Sequence, residues 1–150
     1  MIQLTRSTVN TTEYIYLDIY DKMTNTDYRP LFTFTSQESG YSFTSISFNA
    51  DYANKDRYVK CGFIIGSTFN ASLGFITFGN TNSPYGFYDV TVYQNTDNSN
   101  LDPTGLTVLF SGLANLSAVQ TGLNSNPAVE YTDYDTNDTD TESVYITFGR

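Results

Sequence analysis

A chain of 150 residues with 13 Tyr, 11 Phe, one Cys, no His and a formal charge of −9 excludes several classes at once. Seven Lys and Arg against sixteen Asp and Glu cannot build a basic surface, so neither nucleic acid nor an anionic membrane is expected as a partner. With a lone cysteine and no histidine there is no intrachain disulfide and no His-based nucleophile or acid–base set, so an enzyme is not expected.

The length fits one domain over residues 1–150, long enough to bury a core. Tyr, Phe and Thr suit a pleated sheet, and Asn, Ser and Gly suit the turns between strands, while good helix formers are scarce. The first residues, Met1-Ile2-Gln3-Leu4-Thr5-Arg6, lack a basic region followed by an apolar run, so no secretory signal is expected. No stretch approaches the ~20 apolar residues of a membrane span. The charge is uneven: residues 1–60 net −1, and residues 61–150 net −8, with Arg150 their only cation.

In chain order, Ile2 and Leu4 alternate with polar neighbours and predict a short first strand. Residues 7–12 read as a polar turn. Residues 13–20 predict a strand with Ile15, Leu17 and Ile19 on its core face and Tyr14, Tyr16 and Asp18 on the other. A loop over 21–27 leads to a strand at 29–36, where Phe32 and Phe34 oppose Leu31, Thr33 and Thr35. After a turn at 37–40, Tyr41, Phe43, Ile46 and Phe48 mark a strand whose alternation slips by one, which predicts a bulge at Thr44-Ser45. Residues 49–57 are charged and polar and predict a short helical turn.

Residues 58–66 predict a strand central in its sheet, because Cys61-Gly62-Phe63-Ile64-Ile65 is apolar on both faces. Cys61 within it reads as a small buried hydrophobe. A loop or turn at 68–73 and a short strand at 74–78 precede the loop 79–85. The strand that follows, Gly86-Phe87-Tyr88-Asp89-Val90-Thr91-Val92-Tyr93-Gln94, alternates most clearly, with Tyr88, Val90 and Val92 inward. Its Gly-x-Tyr start is also how a late strand of an Ig-like sandwich begins, with the tyrosine hydroxyl pinning a corner.

An acidic, Asn-rich connection over 95–103 leads to a strand at 106–110, expected to pair with 87–94, and a further strand at 113–119 after Gly112. Residues 129–140 are almost wholly Asp, Thr, Asn and Tyr. Val144, Ile146 and Phe148 align in a closing strand at 143–148. The sum is an all-β chain, an antiparallel β-sandwich, Ig-like or jelly-roll-like, of about eight to ten short strands.

The opening Ile2-Gln3-Leu4-Thr5, running on to Asn10-Thr11, resembles the start of small virion structural proteins from tailed phages of Bacteroidetes, including crAss-like relatives. Gly86-Phe87-Tyr88 through Tyr93-Gln94-Asn95, and then Asn100-Leu101-Asp102-Pro103-Thr104-Gly105 through Leu109 with Ser111-Gly112, match the same proteins in order. Together these cover about a third of the chain. The sequence departs from them in its Asp-rich insertion before the last strand and in Phe110, where a Glu is common. The resemblance implies a non-enzymatic bacteriophage virion protein, made in the host cytoplasm and placed in the virion. It would be a capsid-associated decoration or fibre-attachment protein, or a neck or tail accessory. Its partners would be other virion structural proteins, and it would be oligomeric in the assembled particle. The resemblance transfers no catalytic site.

Two residue sets bear on contact. Asp133, Asp135, Asp138, Asp140 and Glu142 place carboxylates at spacings a hard cation could use. The sharp-turn Gly and fixed spacing of a calcium loop are missing, so the run reads as a solvated acidic loop and no metal is expected. Chance pairs in such a loop do not make a glycosidase. The four Asn-x-Ser/Thr triplets read as accidents of an Asn- and Thr-rich chain. Tyr14, Tyr16 and Tyr93 lie opposite aliphatic or Val-rich faces and read either as sheet cover or as a contact surface. The interaction residues are therefore Tyr14, Tyr16, Tyr93, Asp133, Asp135, Asp138 and Asp140, with no catalytic, cofactor or metal residues. The alternative to a structural role is a carbohydrate-binding module on the virion surface, gripping glycans through exposed Tyr and Asn.

Overall fold

Period-two alternation becomes nine strands in two sheets in a computed structural model that describes residues 1–54 and 56–119. They are β1 (Ile2–Arg6), β2 (Thr11–Leu17), β3 (Leu31–Ser36), β4 (Ser42–Ile46), β5 (Asn49–Asp51), β6 (Val59–Ile65), β7 (Phe75–Ile76), β8 (Gly86–Tyr93) and β9 (Val108–Ala118). Among the described residues, helix is limited to single 3-10 turns at Tyr20–Lys22 and Ala71–Leu73. One sheet runs β1-β9-β8-β3-β4, and the other runs β2-β6-β5 with β7 also paired to β6. All pairings are antiparallel except β1 with β9 and β6 with β7. The expected all-β sandwich is therefore the fold. Met1–Val119 forms one compact unit. The expectation of one domain over residues 1–150, and the closing strand at 143–148, extend beyond the described residues.

The core lies between the sheets. Phe32, Phe34, Tyr88, Val90 and Val92 from one sheet meet Ile15, Leu17, Cys61, Phe63 and Ile65 from the other, all buried. Phe63 meets Phe32 edge-on at 4.9 Å between ring centroids, and Phe34 stacks on Phe43 at 5.1 Å. Each buried Phe contributes about 1.5–3 kcal/mol through removal of apolar surface from water, so these rings are a main source of stability. The expected inward faces of 13–20 and 86–94 are both seen. β6 is central in its sheet, as its two-sided apolar run predicts.

The expected corner is present. The Tyr88 hydroxyl donates to the Pro84 carbonyl at 2.6 Å, closing the turn that leads into β8. Gly86 supplies the positive φ of 135° that this turn needs.

Four local expectations are corrected. The β3–β4 ladder runs in unbroken register from Leu31↔Ile46 to Thr35↔Ser42, so there is no bulge at Thr44-Ser45. The apparent slip arises because a polar residue holds an inward position: Ser45 pairs with Phe32, is fully buried, and its hydroxyl donates to the Ala71 carbonyl at 3.2 Å. Ile46 is buried on the opposite face, with Leu31 across from it. The connection 94–107 is tied to that end of the sheet, where Thr44 Oγ1 donates to the Leu101 carbonyl at 3.1 Å.

Residues 49–57 hold the expected short turn only at their end, where the Asn54 carbonyl accepts from the Arg57 and Tyr58 N–H groups at 2.8 and 2.9 Å; they begin as a strand. Asn49–Asp51 pairs with β6, because a strand edge offers these backbone groups partners that an isolated turn does not. The reversal follows it, where Asp51 Oδ1 accepts from the Ala53 N–H at 2.9 Å. Residues 11 and 12, expected in a turn, belong to β2 and pair with Ile65 and Ile64. The strands expected at 106–110 and 113–119 are one strand, β9. Gly112 does not interrupt it; it lies opposite Val90, and a Cβ there would come within 2.7 Å of Phe110 Cζ. The glycine makes room for that ring. The irregularity falls earlier, between Val92 and Tyr93, and the extra residue, Leu109, is buried in the core.

Candidate functional site

Alternation along β2 turns Ile15 and Leu17 inward and leaves Tyr14 and Tyr16 on the outer face of the smaller sheet, 38% and 53% exposed. Their neighbours are aromatic and cationic. The Tyr14 ring lies 6.3 Å from the Phe48 ring, with Lys60 Nζ 4.1 Å from the Tyr14 centroid. Tyr16 meets Tyr58 edge-on at 5.0 Å. Gly62, opposite Tyr14, lets Phe48 lie across the sheet, since a Cβ would sit 2.6 Å from Phe48 Cε1. The result is a strip of four rings with one ammonium group laid over it.

Tyr93 is elsewhere. It pairs with Leu31 and Val108 on the outer face of the larger sheet, where it is half-buried. The structure therefore does not bring Tyr93 together with Tyr14 and Tyr16; they face outward from opposite sides of the sandwich. On Tyr93's face the large exposed apolar groups are Val108, 51% exposed and directly opposite Tyr93, and Phe87 and Leu113, 51% and 42% exposed and diagonal to each other across the β8–β9 ladder. Between them and β3, Gln37 Nε2 donates to Asp89 Oδ1 at 2.9 Å. Asp133, Asp135, Asp138 and Asp140 lie outside the described residues.

A groove of about 520 Å³ separates β2 from the β1–β9 pair, walled by Met1, Ile2, Tyr14, Tyr16, Phe110 and Leu113. Two smaller depressions, of about 240 and 320 Å³, share Tyr41, Phe43 and Phe69. Tyr41 and Phe69 are 45% and 47% exposed. Both escaped the sequence reading. Tyr41 was absorbed into a strand that begins one residue later, and Phe69 lay in a turn without periodicity. The usable signal was a Phe flanked by Thr68 and Asn70, since a large ring in a polar loop has no core to serve.

The Cys61 thiol is unsuited to nucleophilic chemistry. Cys61 is fully buried, and burial pushes its thiol up to about 12, so it stays protonated and out of reach of solvent. Burial likewise raises Tyr52 to about 12, with Cys61 and Tyr20 adding smaller contributions. Asp97 and Asp102 are held below the usual carboxylate range by bonds from the Ser99 and Thr104 N–H and hydroxyl groups, which stabilise turns in the 94–107 connection. No three His, Cys, Asp or Glu side chains converge among the described residues, and no helix there is long and apolar enough to cross a membrane. Compared with protein-family models, curated proteins and solved structures, the chain finds no match.

Proposed function

We propose that the chain is a non-enzymatic structural protein of a bacteriophage virion: a capsid-associated decoration or fibre-attachment protein, or a neck or tail accessory. One observation carries this reading. A single sandwich presents large exposed side chains on both outer faces, Tyr14 and Tyr16 on one and Phe87 and Leu113 on the other. Two opposed faces suit a piece that bridges neighbours, and Tyr and Phe are the residues that anchor protein contacts. The resemblance of the opening residues, the β8 segment and the following connection to phage virion proteins supports the same reading. The protein would be made in the host cytoplasm and reach its oligomeric state on the assembling particle.

The test is occupancy on particles that lack the native protein. Tyr14→Ser with Tyr16→Ser, and separately Phe87→Ser with Leu113→Ser, should each lower occupancy at least tenfold if each face holds a partner, since hot-spot residues carry about 2 kcal/mol or more. Replacing Asp133, Asp135, Asp138 and Asp140 with Asn should alter the salt dependence of binding if the acidic run docks on a basic patch. Full occupancy by all three variants, or no stoichiometric incorporation of the wild type, would refute the proposal. A second reading, a carbohydrate-binding module on the virion surface, draws on the neutral depressions beside Tyr41 and Phe69.

A further inference from the structure

We propose that Tyr41 and Phe69 form a binding site for a neutral saccharide at the end of the sandwich made by the β3–β4 hairpin and the loops on either side of β7. The inference rests on the carbohydrate-binding reading and narrows it to one place. The two rings line both smaller depressions, so a ligand longer than one sugar ring would meet them twice.

The Phe69 ring is exposed but held, and the backbone that carries Tyr41 is fixed. Phe69 meets Phe43 edge-on at 6.0 Å, and Phe43 is itself buried and stacked on Phe34 of the core. The Tyr41 carbonyl accepts from the Ser36 N–H at 2.9 Å, and the Tyr41 N–H donates to Ser39 Oγ at 3.2 Å. Fixing these positions in advance lowers the ordering cost of binding.

The polar groups beside them are amides and hydroxyls. Asn80 Oδ1 accepts from the N–H groups of Asn82 and Ser83, at 3.1 and 2.9 Å, which sets the side chain and leaves its NH₂ as a donor. The Asn82 carbonyl accepts from Ser39 Oγ at 2.8 Å, while its exposed side-chain amide has no partner among the described residues. Thr77 and Ser83 complete the smaller depression. A pyranose offers a C–H-rich face to a ring and hydroxyls to amides, and these two chemistries lie side by side here.

Charge then selects among ligands. Neither depression is lined by any Asp, Glu, Lys or Arg, so nothing there would reward a sulfate, phosphate or carboxylate. The other aromatic surface is less available, because Lys60 already covers the Tyr14 ring and Tyr58 abuts Tyr16.

The experiment uses the full chain with glucose, galactose, mannose, N-acetylglucosamine and their β-linked disaccharides, and N-acetylneuraminic acid as the charged comparison. Binding is read by saturation-transfer NMR and by shifts of the Tyr41 and Phe69 ring signals. At least one neutral sugar should bind with Kd of about 1 mM, and its disaccharide more tightly. Tyr41→Ala and Phe69→Ala should each weaken it about tenfold or more, and Tyr41→Phe, which keeps the ring, by about threefold or less. Tyr14→Ala with Tyr16→Ala should leave it unchanged. The wild-type ring shifts read the same site if a variant fails to fold. Binding that survives both Tyr41→Ala and Phe69→Ala, or that is lost only with Tyr14 and Tyr16, overturns this site while leaving the carbohydrate reading standing. Preference for the charged sugar overturns the neutral class. No transfer to any neutral sugar overturns the carbohydrate reading, and the site with it.

Discussion

The Tyr88 hydroxyl reaches back four residues to the Pro84 carbonyl at 2.6 Å, so a side chain whose ring is in the core also closes the turn outside it. Tyr88→Phe keeps the ring and removes that bond together with the hydroxyl's side-chain contacts to Ser36 and Ser83. It should cost about 1–2 kcal/mol, since one neutral hydrogen bond is worth about 1 kcal/mol net, with an unchanged urea m-value. A loss of under a few tenths would mean that the Pro84 carbonyl is as well served by water.

Val90 sits between Phe34 and Gly112 in the middle of the larger sheet and is 1% exposed. Val90→Asp should prevent cooperative folding, because an unpaired buried carboxylate costs several kcal/mol against a total stability of about 5–15 kcal/mol. Thr91→Lys, one residue along on the outer face, should fold with a loss of about 1 kcal/mol or less. The comparison is made by thermal melts of both; equal melting temperatures would contradict the inward assignment.

Arg29 ties three segments together. Its Nη1 donates to the Ser47 and Phe48 carbonyls at 2.8 and 3.1 Å, and its backbone N–H donates to Asn98 Oδ1 at 2.8 Å. Arg29→Met keeps the aliphatic stem and removes the fork, with an expected loss of about 1.5–3 kcal/mol. Arg29→Lys should recover less than half of this, since an ammonium at the end of the stem cannot serve the two carbonyls and also replace the Nε contact to Asn98 Oδ1 at 3.4 Å. Urea unfolding of the three proteins measures it, and a fully restored Lys variant would show that charge alone suffices.

The buried thiol makes stability depend on alkaline pH. Cys61 has its pKa raised by burial from 9.0 to about 12, so the folded state favours the protonated form. That contribution is fully present below about pH 9 and is lost as pH rises towards about 12, as the unfolded chain ionises first. Within the window the slope approaches about 1.4 kcal/mol per pH unit. Tyr52, raised from 10.0 to about 12, and Tyr88, also raised, steepen the fall above about pH 10. Unfolding free energies measured from pH 8 upward should fall earlier in the wild type than in Cys61→Ala, whatever the offset between them at pH 8. Parallel curves would mean that the thiol does not titrate on unfolding.

What the sequence determined by itself was local and periodic. Alternation in 13–20 and 86–94 set which side chains face inward, because a strand has only two faces and one is apolar. The two-sided apolar run around Cys61 marked the strand with neighbours on both sides. Gly-x-Tyr after Pro84 foretold the pinned corner, since the hydroxyl reaches a carbonyl in its own turn. What failed locally did so where a tertiary partner overrode the pattern. Ser45 lies inward because the Ala71 carbonyl receives its hydroxyl. Asn49–Asp51 is a strand because β6 lies beside it. Gly112 continues a strand because the Phe110 ring fills its space.

The candidate surfaces needed the fold. Tyr14, Tyr16 and Tyr93 look equivalent in sequence, but only the pairing of strands into two sheets sends them to opposite sides. Tyr41 and Phe69 are 28 positions apart and share no period. They line the same depressions because the β3–β4 hairpin and the segment after β6 end at one edge of the sandwich. Alternation speaks only within a strand, whereas proximity between loops is decided by strand order, which rests on long-range pairing.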